Sequence, residues 1–442
     1  MRILILHELD DLGSARRTSI NHAFALVKYA PEHEYTLHSA RQPVTARLRE
    51  QAFDAIILDT TFLCWRWARP KSLWLDRLLD AHDFIAKSDA VKVALPQDEY
   101  DHAEILDNWL SDWKVDLIYS VCYDHHAEFY PRAGKHARVL EALTGYVDDA
   151  DIGLMQRFAV PFKDREIDVG YRARALPAYF GRIGQLKTEL GDRFRSSMAD
   201  RQLKLDISTQ ARDALVGDAW LQFLGNSKFT LGCESGSSLL DARGEIRECV
   251  ERRLQRNPAA SFEELEQACF PGQDMRNVYT AAGPRLFEAA IARSCQILTP
   301  GNYAGALKAG EHYIALAPDC SNVEDVYEQM QDEDANMARI EACYRALVED
   351  PKFRYRNFVA GLLAEVRDAA VRKGRRLPDC GSSTGTVTDE LALRESFTRA
   401  VLRAHQHHIE DVKEIRLLPN FLHAVVVTLV RQMLSLARRI RG

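Results

Sequence analysis

The chain has 442 residues, more than one ordinary domain of about 100–200 residues accommodates, so two or three domains are expected. A hydrophobic fraction of 46% and a charged fraction of 28% supply sizeable cores and exclude general disorder. The 58 basic and 64 acidic residues give a net charge of −6, which excludes a chain-wide electrostatic grip on nucleic acid; no nucleic-acid partner is expected. Nine cysteines, widely spaced and without a C-x-x-C pair, argue against a disulfide framework or a thiolate zinc site and suit a reducing cytosol. The first apolar run, 2–6, is too short for a signal-peptide core, and no stretch reaches the roughly 18 apolar residues of a spanning helix. A cytoplasmic protein follows, peripheral on the inner membrane at most.

In chain order, the runs 2–6, 35–38, 54–58, 91–95 and 115–121 read as strands, several of them continuous Ile/Leu/Val segments as in sheets covered on both faces. Helical spacing falls between them, near 14–29, 44–52, 71–87 and 103–112. Strand–helix alternation with crossovers of this length predicts a parallel, doubly wound sheet over about 1–155. A second series runs through a strand at 167–171, a helix at 181–197, strands at 203–207 and 229–233, and last strands at 296–299 and 313–316. Ser261 and Glu264 form a capping-box pattern that starts a helix at 262, and Ser321 with Glu324 repeats it. Gly283-Pro284 opens another helix with proline in its first turn. The fold class expected is α/β with two doubly wound domains, the second over 160–350 and closed by helices at 351–374. A Gly/Ser-rich linker at 375–392 leads to a helical tail at 393–442. Residues 421–440 of that tail are apolar on one face, with Arg431, Arg438, Arg439 and Arg441 added.

Two such domains place their strand carboxyl ends, the usual ligand sites, across a cleft. Arg285 and Glu288, three apart at the start of a helix, can face one ligand: the helix terminus and Arg285 suit phosphate, and the carboxylate suits a ribose diol. An ordinary surface Arg–Glu pair is the alternative. Glu234 and Ser235, after a strand, stand in a turn that can cradle phosphate or sugar, or simply connect strand to helix. Gly170, Tyr171 and Arg172 end the strand 167–171, where Arg172 or Arg174 can neutralise a diphosphate. In the first domain Asp98 and Glu99 follow the strand 91–95, where a carboxylate can act as general base or merely start a helix. His7 ends the first strand in the equivalent position. Asp149 with Asp151, the pair His125–His126, and His405, His407 and His408 are set aside as metal sites; no metal and no cofactor are expected.

The stretch Ile167-Asp-Val-Gly-Tyr-Arg-Ala-Arg-Ala-Leu-Pro177, with Gly181-Arg-Ile-Gly-Gln185, resembles bacterial glycosyltransferases related to the spore-maturation (CgeB-like) group. So do 231–241, Gly283 to Glu288, Gly301-Asn-Tyr-Ala-Gly305 and His312-Tyr-Ile314, together covering about 160–350; the amino-terminal half matches chiefly at Gln97-Asp-Glu-Tyr100. The resemblance implies a GT-B architecture, with a nucleotide-sugar donor in the second domain and a glycan or lipid-linked glycan acceptor in the first. It implies that Glu288 grips the donor ribose, that Arg285 and Arg172 hold the diphosphate, with Gly170, Tyr171, Ser235 and Gly283 around them, and that Glu234 is the first acid of a paired-glutamate motif. That motif keeps its acids about eight apart, and here an insertion of roughly fifty residues separates Glu234 from Glu288. Metal is usually dispensable in such sites, since arginines and a helix terminus stabilise the leaving diphosphate. Asp98 would be the base of an inverting enzyme, or orient the acceptor, with Glu99, in a retaining one. The expected function is sugar transfer onto a bacterial surface polysaccharide or glycolipid; a nucleotide-sugar epimerase and a non-catalytic scaffold of an assembly complex are the alternatives.

Overall fold

A computed structural model describes residues 1–9 and 15–378. The linker beyond 378, the tail at 393–442 and the histidines at 405–408 lie outside the described residues.

The first sheet is built from β1 (Arg2–His7), β2 (Glu34–Ser39), β3 (Ala55–Leu58), β4 (Val91–Ala94), β5 (Leu117–Ser120) and β6 (Arg138–Glu141), all parallel, in the order β2-β1-β3-β4-β5-β6. The inner strands β3, β4 and β5 are buried at every position, which is why their sequences are mainly apolar on both faces, with Lys92 and Ser120 buried among them. The second sheet contains β7 (Ile167–Arg172), β8 (Leu205–Ser208) and β9 (Ser227–Gly232). After a two-stranded antiparallel ribbon, β10 (Ser235–Ser237) with β11 (Tyr279–Ala281), it is completed by β12 (Cys295–Leu298) and β13 (Ile314–Ala315). Its order, β13-β12-β9-β7-β8, is again parallel throughout. Read from the other edge, it repeats the winding of the first sheet: one strand outward, then back across the start and onward. The order therefore reverses between β1 and β3 and again between β7 and β9, and such reversal points open a crevice at the strand carboxyl ends. The fold is α/β with two Rossmann-like, doubly wound domains.

Two features depart from the expected organisation. The helix Tyr355–Arg372 crosses back to the first domain. Its Val359, Leu362, Leu363 and Val366 join one core cluster with Ile3, Ile5, Ile57, Val91 and Val93. The chain thus closes on the sheet with which it begins. The segment between β10 and β11 carries two helices, Glu245–Arg256 and Phe262–Cys269, joined by a Cys249–Cys269 disulfide. A single bond is not a framework, and twenty residues of separation, with no motif spacing, give it no sequence signal. Cys64, Cys122, Cys233, Cys295, Cys320 and Cys343 are free.

Among the local signals, Ser261 and Glu264 form a reciprocal capping box, and Pro284 stands in the first turn of the helix Pro284–Ile291. Ser321 does not cap. Asn322 precedes the helix Val323–Gln331 instead, with its side chain turned to the backbone of Ala315 and Ala317. No helix among the described residues is long and apolar enough to cross a membrane.

Candidate functional site

On the second domain, the helix Pro284–Ile291 starts beside the carboxyl end of β9. Gly283 precedes it in extended conformation, and no side chain caps its free N–H groups, so its positive end is left without a protein partner. A Cβ at Gly283 would approach Ser235 Oγ to 3.1 Å, so glycine lets the turn and the ribbon close together. One turn into the helix, Glu288 accepts a hydrogen bond from Trp220 Nε1 at 3.0 Å. Burial raises its carboxyl pKa, opposed by that bond and by the charge of Arg285. Arg285 lies over the rings of Trp220 (5.3 Å) and Tyr171 (5.8 Å), and its buried Nε has no hydrogen-bond partner.

The helix Gly181–Ser197 adds a cation that the sequence did not announce. Lys187 donates to Ser235 Oγ at 2.8 Å, and its backbone carbonyl accepts from Tyr171 Oη at 2.8 Å. Burial lowers the Lys187 pKa, and Arg285 and Arg16 lower it further, against the raising influence of Cys233 and Asp98. A desolvated ammonium beside a guanidinium with an unmade hydrogen bond, at an uncapped helix terminus, is a site short of negative charge. An anion of phosphate type supplies what it lacks. Tyr171, Ser235, Gly283, Arg285 and Glu288 therefore converge, with Lys187 and Trp220 added.

Gly170 and Arg172 do not join them. A Cβ at Gly170 would meet Ser227 Oγ at 2.4 Å and the Phe223 ring at 2.8 Å, so this glycine serves strand–helix packing. Arg172 pairs with Asp206 at 2.7 Å, donates to the Asp213 and Tyr171 carbonyls and lies 4.5 Å from the Phe223 ring centre. There it lines a separate groove of about 620 Å³ along β8, together with Arg195 and Asp192.

Glu234 follows β9 and accepts from the backbone N–H of Tyr303 at 2.9 Å; a Cβ at Gly301 would reach its carboxylate at 2.8 Å. The insertion after it leaves and returns at one place, since Ser235 pairs with Ala281 across the ribbon. Cutting out 235–281 would bring Glu234 to within seven residues of Glu288, so the long sequence gap is a local excursion and leaves both acids on one edge of the sheet.

Across the cleft, the loop after β4 presents Asp98. Its Oδ1 accepts from Tyr100 Oη at 2.6 Å, and it lies close enough to Lys187 to bear on that residue's pKa. Buried Arg66 shapes this loop, donating to the carbonyls of Gln97, Asp98 and Asp101. Glu99 points the other way, fully buried and hydrogen-bonded by Ser120 (2.5 Å) and Tyr130 (3.1 Å). Burial raises its pKa, and its contacts are those of a structural carboxyl in the first core. His7 is buried at the end of β1, edge-on to Phe24, with Nδ1 accepting from the Leu9 N–H at 3.0 Å.

Asp149 is paired with Arg354 and Arg356, and Asp151 with Arg17. His126 bonds the Cys122 carbonyl, and His125 lies by Glu128. Among the described residues no group of three metal-ligating side chains converges.

The chain matches no protein-family model and no curated protein. Solved structures resemble it over most of their length. A glycosyltransferase from Rickettsia africae aligns over 83% of this chain and 98% of its own, with TM-score 0.47 and 11% identity. Anabaena HepE in complex with UDP aligns over 83% and 100%, with TM-score 0.44 and 11% identity. AviGT4, a glycosyltransferase of avilamycin A biosynthesis, aligns over 84% and 98%, with TM-score 0.41 and 8% identity.

Proposed function

We propose that this protein is a glycosyltransferase that moves a sugar from a nucleotide-activated donor to a hydroxyl of a bacterial surface polysaccharide or glycolipid. The observation that carries the reading is the convergence of Lys187, Arg285 and the uncapped start of Pro284–Ile291 around space that needs an anion, with Glu288 one turn away. A nucleoside diphosphate has both halves of the complementary chemistry, a diphosphate for the cations and a ribose diol for the carboxylate. As the sugar–phosphate bond breaks, negative charge grows on the leaving oxygen, where two cations and a helix terminus stabilise it without a metal. Asp98, facing the same space, would take the acceptor proton or orient the acceptor hydroxyl. Glu234 would lie against the transferred sugar. UDP-sugars are the first donors to try, UDP being the nucleotide bound by Anabaena HepE. The sequence of 421–440, basic with one apolar face, fits a lipid-linked acceptor on an anionic inner leaflet, reached from the cytoplasmic side.

The test is transfer itself. Radiolabelled UDP-, GDP- and ADP-sugars are incubated with the protein and a bacterial envelope glycolipid fraction. The proposal expects label in the glycolipid from one nucleotide series, lost with Glu288→Ala. Isomerised free donor without any incorporation would establish an epimerase instead, and no turnover of any donor would favour the scaffold.

A further inference from the structure

We propose that the inserted segment 235–281 positions the acceptor loop, and that Arg247 is the residue through which it holds Asp98 facing the cation site of the second domain. This rests on the transferase reading above, which gives Asp98 its acceptor-side role.

The loop is gripped from two sides. Its own domain supplies Arg66, whose guanidinium binds three of the loop's carbonyls. The insertion supplies the rest. The Asp241 N–H donates to the Tyr100 carbonyl at 2.8 Å, while the N–H groups of Ala103 and Glu104 donate to Asp241 and Ala242 at 3.2 and 2.9 Å, a short parallel bridge between insertion and loop. Arg247 Nη1 donates to Asp101 Oδ2 at 3.0 Å, its own N–H caps onto Asp241 Oδ2 at 2.8 Å, and its Nε donates to Glu251. Asp101 is buried, and its other oxygen lies 2.6 Å from His102 Nδ1. Gly244, at φ 80°, leaves His102 its place, since a Cβ there would come within 2.1 Å of the imidazole. The guanidinium of Arg247 lies 5.8 Å from the Trp67 ring of the first domain and 5.1 Å from the Tyr179 ring of the second. It therefore touches both domains and the insertion at once.

Backbone strain shows why such a grip is needed. Asp98 (φ 52°) and His102 (φ 60°) are both left-handed, a conformation L-residues keep only where their surroundings fix it. Arg66 fixes the Asp98 end by its carbonyl, and Asp101, held by Arg247, fixes the His102 end. The disulfide ties the helix that carries Arg247 to its neighbour, so the grip has a rigid base. Because the insertion springs from β9, beside Lys187 and Ser235, it couples the placing of Asp98 to the second domain.

The experiment compares hydrogen exchange in the full-length wild type, Arg247→Ala and Arg247→Lys. The amides of 97–102 are expected to exchange at least about tenfold faster in the alanine variant, with much of the protection kept by lysine, and with 284–291 and the thermal shift given by UDP unchanged. The second readout is release of nucleoside diphosphate from UDP-glucose with water as acceptor. Arg247→Ala should slow it, and the double variant with Asp98→Asn should be no slower than Asp98→Asn alone, because one residue acts through the other. Unchanged exchange at 97–102, or losses that multiply in the double variant, would overturn the proposal. If Arg247→Ala does not fold, Asp101→Asn, which weakens the same ion pair, takes its place. A wild type that binds no nucleoside diphosphate defeats the transferase reading, an outcome distinct from unchanged exchange in a protein that binds one.

Discussion

Single ionisable side chains away from open solvent are of two kinds in this molecule, and they differ in what they do. Glu99 and Arg66 are satisfied by hydrogen bonds on every side and hold a loop in shape. Lys187 and Arg285 are half-buried, Arg285 with its Nε unpartnered, and on the proposed reading a diphosphate completes both. His82 belongs to neither kind. It is buried on the first core with Nδ1 bonded to the Leu78 carbonyl, and burial lowers its pKa to about 4. Between an unfolded value near 6.5 and that folded value only the unfolded chain binds the proton, so stability present above pH 6.5 is lost as pH falls through this window. Urea unfolding at pH 7 and pH 5 should show wild type losing about 2 kcal/mol more than His82→Asn. Equal losses in the two proteins would show that His82 does not titrate this way.

At the scale of elements, the helix Tyr355–Arg372 does more than close the chain. Leu362 is 1% exposed in the cluster that covers one face of the first sheet. Leu362→Ala should cost about 2–5 kcal/mol in denaturant unfolding while leaving nucleotide binding at the folded site unchanged. A loss under about 0.5 kcal/mol would mean that the helix is not part of this core.

That helix shows where sequence reading stopped. Its apolar spacing announced a helix, but nothing local says which sheet it covers. Most strands of the two main sheets were legible because burial on both faces leaves them rich in Ile, Leu and Val; β6 was not, since both its ends, Arg138 and Glu141, are exposed and its pattern is broken, and the short ribbon strands β10 and β11 gave no apolar run. The helix Glu245–Arg256 was missed for a similar reason: eight of its twelve positions are polar or charged, and Ile246 and Val250 alone are buried. In the site, Glu288, Arg285 and Gly283 were readable from a helix start, since their spacing is local. Lys187 reads as one more lysine in an amphipathic helix, and only the packing of that helix against β8 and β10 turns it toward Ser235. The return of the insertion at Ala281 depends on a pairing made across 46 residues, which no local pattern encodes.

For the whole molecule, one winding is used twice, and the reversal points of both sheets open toward one cleft. The first domain brings Asp98 there, the second brings Lys187, Arg285, Glu234 and Glu288, and the insertion and the last helix tie the halves together. The central claim is that this cleft binds a nucleoside diphosphate through the second domain. Its most direct test is a thermal-shift titration of the purified protein with UDP, GDP, ADP, CDP and dTDP, with Glu288→Ala and Lys187→Ala alongside. A ligand that binds only the folded state stabilises it by roughly 2.7 kcal/mol at a hundredfold excess over its dissociation constant. One nucleotide should raise the wild-type transition by several degrees, and both variants should lose most of that rise without losing their fold. A wild type indifferent to every nucleoside diphosphate, or variants that respond as it does, would contradict the assignment.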